Sequence, residues 1–170
     1  SIEQLLMRPE FVHAYPEAVD AIRSADMIII GPGSLYTSVL PNLLVRDIRD
    51  AIRVSDALKV YVSNVATQHG ETDGYSVADH VTAIEKHVGR GLIDYVLANA
   101  NVVTTLPEAW QSRAVARNGH EMPHVRIIEE DVVREDKRYH HDPAKLAAAL
   151  VRLYYDREAA PPQKQALAQS

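Results

Sequence analysis

Three stretches of this chain gather side chains able to do chemistry. Residues 31–38 read Gly-Pro-Gly-Ser-Leu-Tyr-Thr-Ser. Gly31 and Gly33, separated by Pro32, let the backbone come close to a ligand, and the hydroxyls of Ser34, Thr37 and Ser38 with nearby N–H groups can hold an anion such as a phosphate. No Lys follows, so this is not a Walker loop, and the glycine spacing is not that of a dinucleotide fingerprint. The same residues also suit a plain turn whose hydroxyls cap a helix. Both readings stand at this point.

Residues 64–75 form a longer polar loop that places Asn64, Thr67, Gln68, His69, Gly70, Glu71, Thr72, Asp73 and Tyr75 together. A loop this rich in amide, hydroxyl, imidazole and carboxylate groups is more than a connection requires, and such loops on rigid scaffolds commonly carry function. The alternative is a solvated turn with Gly70 and Gly74 at positive φ. His69 and Glu71 do not have a spacing diagnostic of a metal site, and none is expected. The third cluster is Arg138-Tyr139-His140-His141-Asp142. Its imidazoles can donate to a phosphate, or one can carry a proton near neutral pH. Adjacent residues on an extended segment point apart, so the two are not expected to serve one site. An exposed segment that caps the next helix is the competing reading. No serine nucleophile elbow or zinc-protease helix occurs, and nothing places a base beside Ser34 or Ser38, so no catalytic residue is assigned.

Composition narrows the class. The 170 residues are 46% hydrophobic, enough for one domain with a core of ordinary size. There is no cysteine, which removes disulfides, thiolate metal ligands and a cysteine nucleophile together. A formal charge of −5 disfavours nucleic acid as a partner. The apolar runs are too short to span a membrane, and a cytoplasmic location is expected. The chain opens at Ser1, without Met, almost directly into helix-like sequence, so the functional unit is expected to be larger than this stretch.

The elements that must position the three clusters follow from periodicity. Residues 16–23 read as a short amphipathic helix with Pro16 in its first turn. Residues 27–30 are a continuous apolar run, the pattern of a parallel strand covered on both faces. Residues 43–54 carry an apolar stripe of helical spacing, and 59–65 form a second strand. Ser76 to Asp79 has the form of a capping box, opening a helix that stops at Gly89. A third strand is expected over 94–98, a helix over 108–117, a fourth strand over 125–128 and a last helix over 144–154 behind an Asp142-Pro143 cap. This alternation predicts an α/β fold: a parallel, Rossmann-like sheet with helices on both faces, in three αβα layers. Residues 1–157 would form the carboxyl-terminal part of a larger domain, and 158–170, rich in Ala, Pro and Gln, a disordered tail. Ligands of such sheets gather at the carboxyl ends of the strands near a topological switch point, which directs attention to the loops after Ile30, Val65 and Ala98.

Residues 25–38, the phrase Gly70-Glu71-Thr72-Asp73-Gly74-Tyr75, and the intervening Pro41-Asn42-Leu43-Leu44 and Tyr61-Val62-Ser63-Asn64 closely resemble the gluconeogenesis factor (YvcK-like) family. The resemblance runs over residues 9–154. The related 2-phospho-L-lactate transferases carry Gly-Pro-Ser-Asn where this chain has Gly31-Pro32-Gly33-Ser34, so it looks like the YvcK-like branch. The resemblance implies a non-catalytic protein that binds a UDP-sugar such as UDP-N-acetylglucosamine and controls carbon flow to cell-wall precursors, growth and cell shape on gluconeogenic carbon sources. Glucosamine-6-phosphate synthase is the implied partner, and a homo-oligomer the expected assembly. The transferase branch would instead imply phospho-ester transfer with magnesium. Family members are nearly twice as long and begin with a strand and a GGGTG-type loop for nucleotide phosphates, so half of the site is expected beyond this stretch. Where the family shows Arg-His-Asn or Arg-His-Asp, this chain has His140-His141-Asp142. Trp110 stands where the family carries a Tyr, an aromatic face for stacking or for the core.

Overall fold

The computed structural model describes residues 2–9, 11–102, 106, 111–117, 119 and 121–156. Helix α1 (Pro16–Ser24) leads into strand β1 (Met27–Ile30). A turn of π-helix, Leu35–Val39, then runs directly into α2 (Leu40–Leu44) and α3 (Arg46–Val54). Strand β2 (Leu58–Val62), helix α4 (Val77–Val88), strands β3 (Tyr95–Asn99) and β4 (Arg126–Glu130) and helix α5 (Pro143–Asp156) complete the order.

The four strands are all parallel and lie in sequence order, with Ile30 opposite Tyr61, Val62 opposite Leu97 and Asn99 opposite Glu130. Period-2 alternation divides their side chains between two cores. Ile28 and Ile30 of β1, Tyr61 of β2 and Val96 and Ala98 of β3 pack with Leu40, Leu43, Ile52, Val81 and Ile84 from α2, α3 and α4. On the other face, Leu58, Val60 and Val62 of β2 and Leu97 of β3 pack with Ala149, Leu150 and Leu153 of α5. The result is the α/β fold expected from sequence, with helices on both faces of a parallel sheet. Because the order never reverses, the described strands contain no switch point, and the loops after β1 and β2 lie side by side at one edge.

Local signals explain the helix ends. Ser76 Oγ accepts from Asp79 N at 3.2 Å while Asp79 Oδ2 accepts from Ser76 N at 2.8 Å, the reciprocal capping box read from sequence. Gly89, at φ +78°, ends α4. Asp142 Oδ1 accepts from Ala144 N and Lys145 N at 2.9 and 3.0 Å, opening α5 at Pro143.

Several expectations change. The apolar run 27–30 is not covered on both faces: β1 ends the described sheet, and Ile29 is 47% exposed. The stripe at 43–54 belongs to two helices, because Val45 turns to an extended conformation between α2 and α3. Strand β2 ends at Val62, although Ser63 N still bonds Leu97 O. The helix expected over 108–117 is absent from residues 111–117, which are irregular apart from one antiparallel bridge between Ala114 and Ala66. Their backbone groups are taken instead by the loop after β2 and the first residue of α4: Thr67 N donates to Arg113 O at 2.8 Å, Val115 N to Val65 O at 3.0 Å, and Val77 N to Ala116 O at 2.9 Å. Val115 and Met122 are buried in the core cluster that also holds the inner face of α4. The tail at 158–170 lies outside the described residues, as does Trp110.

Candidate ligand cleft at the carboxyl edge of the sheet

The loop after β1 is drawn against the end of β2. Gly31 sits at φ +83°, and a Cβ there would lie 3.1 Å from Val62 O, so only glycine fits without displacement. Gly33 N donates to Asn64 Oδ1 at 3.3 Å. Ser34 Oγ donates to Glu71 Oε2 at 2.7 Å and accepts from Thr37 N at 3.4 Å. Further along, the hydroxyls of Tyr36 and Tyr75 meet at 2.9 Å. Burial, and secondarily that contact, raises the Tyr36 phenol above its ordinary pKa. Three contacts thus bind into one unit the two loops read separately from sequence.

The loop after β2 is ordered from within. Gln68 N donates to Thr72 Oγ1 and Thr72 N to Gln68 O, both at 2.9 Å. Thr72 is fully buried. Arg113 N donates to Thr67 Oγ1 at 2.9 Å, which ties the loop to the segment beyond β3. Gly70 N donates to Asp73 Oδ2 at 2.7 Å, and this bond holds the Asp73 carboxyl below the usual carboxylate range. Gly70 and Gly74 do adopt positive φ, as the turn reading expected.

Between these loops and the segment before α5 lies an open cleft of about 510 Å³. Of the residues singled out from sequence, Pro32, Gly33, Ser34, Asn64, Thr67, Gln68, His140 and His141 line it. Gly31, Gly70, Glu71, Thr72 and Tyr75 are not among the lining residues, and Thr37 and Ser38 are exposed on the π-helical turn. Both histidines reach the cleft, contrary to the expectation that neighbours point apart. The chain turns at 138–139 instead of running extended, with His140 N donating to Lys137 O at 2.8 Å. The exposed His140 ring lies against Tyr139, with centroids 4.4 Å apart. His141 is half-buried, and its Nε2 donates to Ser63 O at 3.2 Å. Burial pushes its pKa below the ordinary histidine value, opposed by the Ser63 bond and aided by His140. Tyr139, a member of the third cluster without an assigned role, also lines the cleft, as do Leu106 and Ser112, which the sequence reading did not single out. Ser112 carried no signal, because its segment reads as helix.

The cleft has the size and loop-built walls of a small-molecule site. Ser34 has no imidazole partner; its hydroxyl is hydrogen-bonded to a carboxylate. Among the described residues, no group of three or more His, Asp or Glu is placed to hold a metal ion. No helix of the described residues is long and apolar enough to cross a membrane.

Comparison with known proteins identifies the scaffold. The family model described as 2-phospho-L-lactate transferase CofD matches residues 1–149. The gluconeogenesis factor of Listeria monocytogenes is 43% identical over 154 residues, covering 88% of this chain and 48% of that protein. The gluconeogenesis factor of Bacillus subtilis is 38% identical over 159 residues, covering 89% and 50%. A solved structure from Bacillus halodurans superposes with a TM-score of 0.82 at 40% identity, covering 88% of this chain and 50% of that one. A second structure, titled as a upf0052 family member from the same organism, gives 0.78 at 39% identity over 86% and 49%. The chain spans about half the length of these relatives. On these matches, the chain belongs to the CofD-like family, within its gluconeogenesis factor (YvcK-like) branch.

Proposed function

We propose that this chain supplies part of the binding site of a cytoplasmic regulator that takes up a UDP-sugar, of the UDP-N-acetylglucosamine type, without chemical turnover. The carrying observation is convergence. The glycine-rich loop after β1, the polar loop after β2 and the double histidine before α5 frame one cleft of about 510 Å³. Its lining of amides, hydroxyls and imidazoles above an apolar sheet suits a polar, partly cyclic ligand. On this reading the protein governs carbon flow to cell-wall precursors, growth and cell shape on gluconeogenic carbon sources. Glucosamine-6-phosphate synthase is then its partner and a homo-oligomer its working state. The test is a thermal-shift titration of a family-length chain containing these residues: UDP-N-acetylglucosamine raises Tm by linkage, and no shift at millimolar ligand refutes the reading.

A second reading, phospho-ester transfer, is favoured by the family model's own description. Incubating a family-length chain with the deazaflavin alcohol, an activated phospholactate donor and magnesium decides between them. Formation of the phospho-ester product supports transfer, and its absence leaves the binding role.

A further inference from the structure

We propose that the cleft receives a neutral, hydroxyl- or amide-bearing moiety of the ligand, its sugar or its base, and not the diphosphate, with Gln68 as the residue that reads it. This rests on the nucleotide-sugar reading of the same cleft and adds to it which part of the ligand these loops recognise.

Four observations carry the assignment. No Lys or Arg is among the described residues lining the cleft. The loop that looked suited to an anion has a carboxylate behind it. Ser34 gives its proton to Glu71, so a phosphate at Ser34 would meet a hydroxyl already committed and a like charge at its back. His141 spends its Nε2 proton on Ser63 O and, with its pKa lowered by burial, presents an unprotonated Nδ1, an acceptor and not a donor.

Gln68 is the fourth observation. It lines the cleft, its backbone is fixed at both N and O by Thr72, and its Oε1 is buried without a hydrogen-bond partner. A buried carbonyl oxygen in that state calls for a donor. Sugar hydroxyls, an acetamido N–H and the imide N–H of a pyrimidine all supply one; a diphosphate supplies none.

The experiment is an NMR titration of a family-length chain containing these residues with uridine, N-acetylglucosamine, inorganic pyrophosphate and UDP-N-acetylglucosamine, reading the Gln68 side-chain amide and the His141 ring. Uridine or N-acetylglucosamine shifts both groups, which also tells base from sugar, whereas pyrophosphate shifts neither. In Gln68→Met, which keeps length and removes the amide, UDP-N-acetylglucosamine binds roughly tenfold more weakly, the scale of one hydrogen bond. Glu17→Ala, exposed on α1 and outside the cleft lining, binds as wild type. The fragment titrations need no variant, so a Gln68→Met chain that fails to fold leaves the test intact. Shifts with pyrophosphate and none with either neutral probe would overturn the assignment while the UDP-sugar still binds. Silence from all four ligands would overturn the assignment and the nucleotide-sugar reading together.

Discussion

Ser34 Oγ stands 2.7 Å from Glu71 Oε2 across 37 residues of sequence, and this bond fastens the loop after β1 to the loop after β2. Both side chains are partly buried, so the hydroxyl satisfies a carboxylate that water reaches only in part. Ser34→Ala should destabilise the fold by about 1.5–3 kcal/mol, the range for a hydrogen bond to a charged group. Glu71→Gln, which retains an acceptor of the same shape, should cost less. A double-mutant cycle by urea denaturation measures the coupling; additive effects would show that the contact contributes nothing.

Gly31 gives a second prediction. Its φ of +83° and the 3.1 Å approach of a built Cβ to Val62 O combine backbone strain with steric crowding. Gly31→Ala should cost about 2–3 kcal/mol, with the left-handed conformation and the displaced β2 end each contributing. Tm is the readout, and an unchanged Tm would mean the loop relaxes freely.

How much of this was visible in the sequence depends on where each element gets its stability. Helices α4 and α5 were legible because their caps are local: Ser76 with Asp79, and Asp142 before Pro143. Strand β1 was placed correctly by its apolar run, but not its exposure, since Ile29 is uncovered only because β1 ends the described sheet. The 111–117 segment was misread because its partners, Val65 and Thr67, are distant in sequence, and tertiary hydrogen bonds outweighed helical periodicity. In the cleft, the motif loops were found but their joining was not. The Ser34 contact with Glu71, which turns an apparent anion loop into an acceptor-rich wall, depends on folding alone.

Acid should weaken the fold through its buried imidazoles. His80 is fully buried, with Nδ1 bonded to Ser76 O at 2.8 Å, its Nε2 without a partner and its ring edge-on to Tyr75. Burial lowers its pKa, with the Ser76 bond and Asp79 opposing, and burial lowers that of His141 too. The unfolded chain binds these protons near the ordinary value of about 6.5, the folded chain only at lower pH. Their contribution to stability is therefore complete above about pH 6.5 and declines as pH falls beneath it. The lowered carboxylates Asp73 and Asp131 act only in a more acid range. Unfolding free energy should drop between pH 7.5 and 5.5, and His80→Leu should flatten the slope; an unchanged slope would remove His80 as a cause.

The central claim is that the three sequence clusters form one ligand site. Its most direct test is hydrogen exchange of a family-length chain containing these residues with and without UDP-N-acetylglucosamine, resolved by residue. The account predicts added protection confined to residues 31–38, 64–72 and 139–141. Protection elsewhere with these three segments unchanged, or no protection at millimolar ligand, would contradict it.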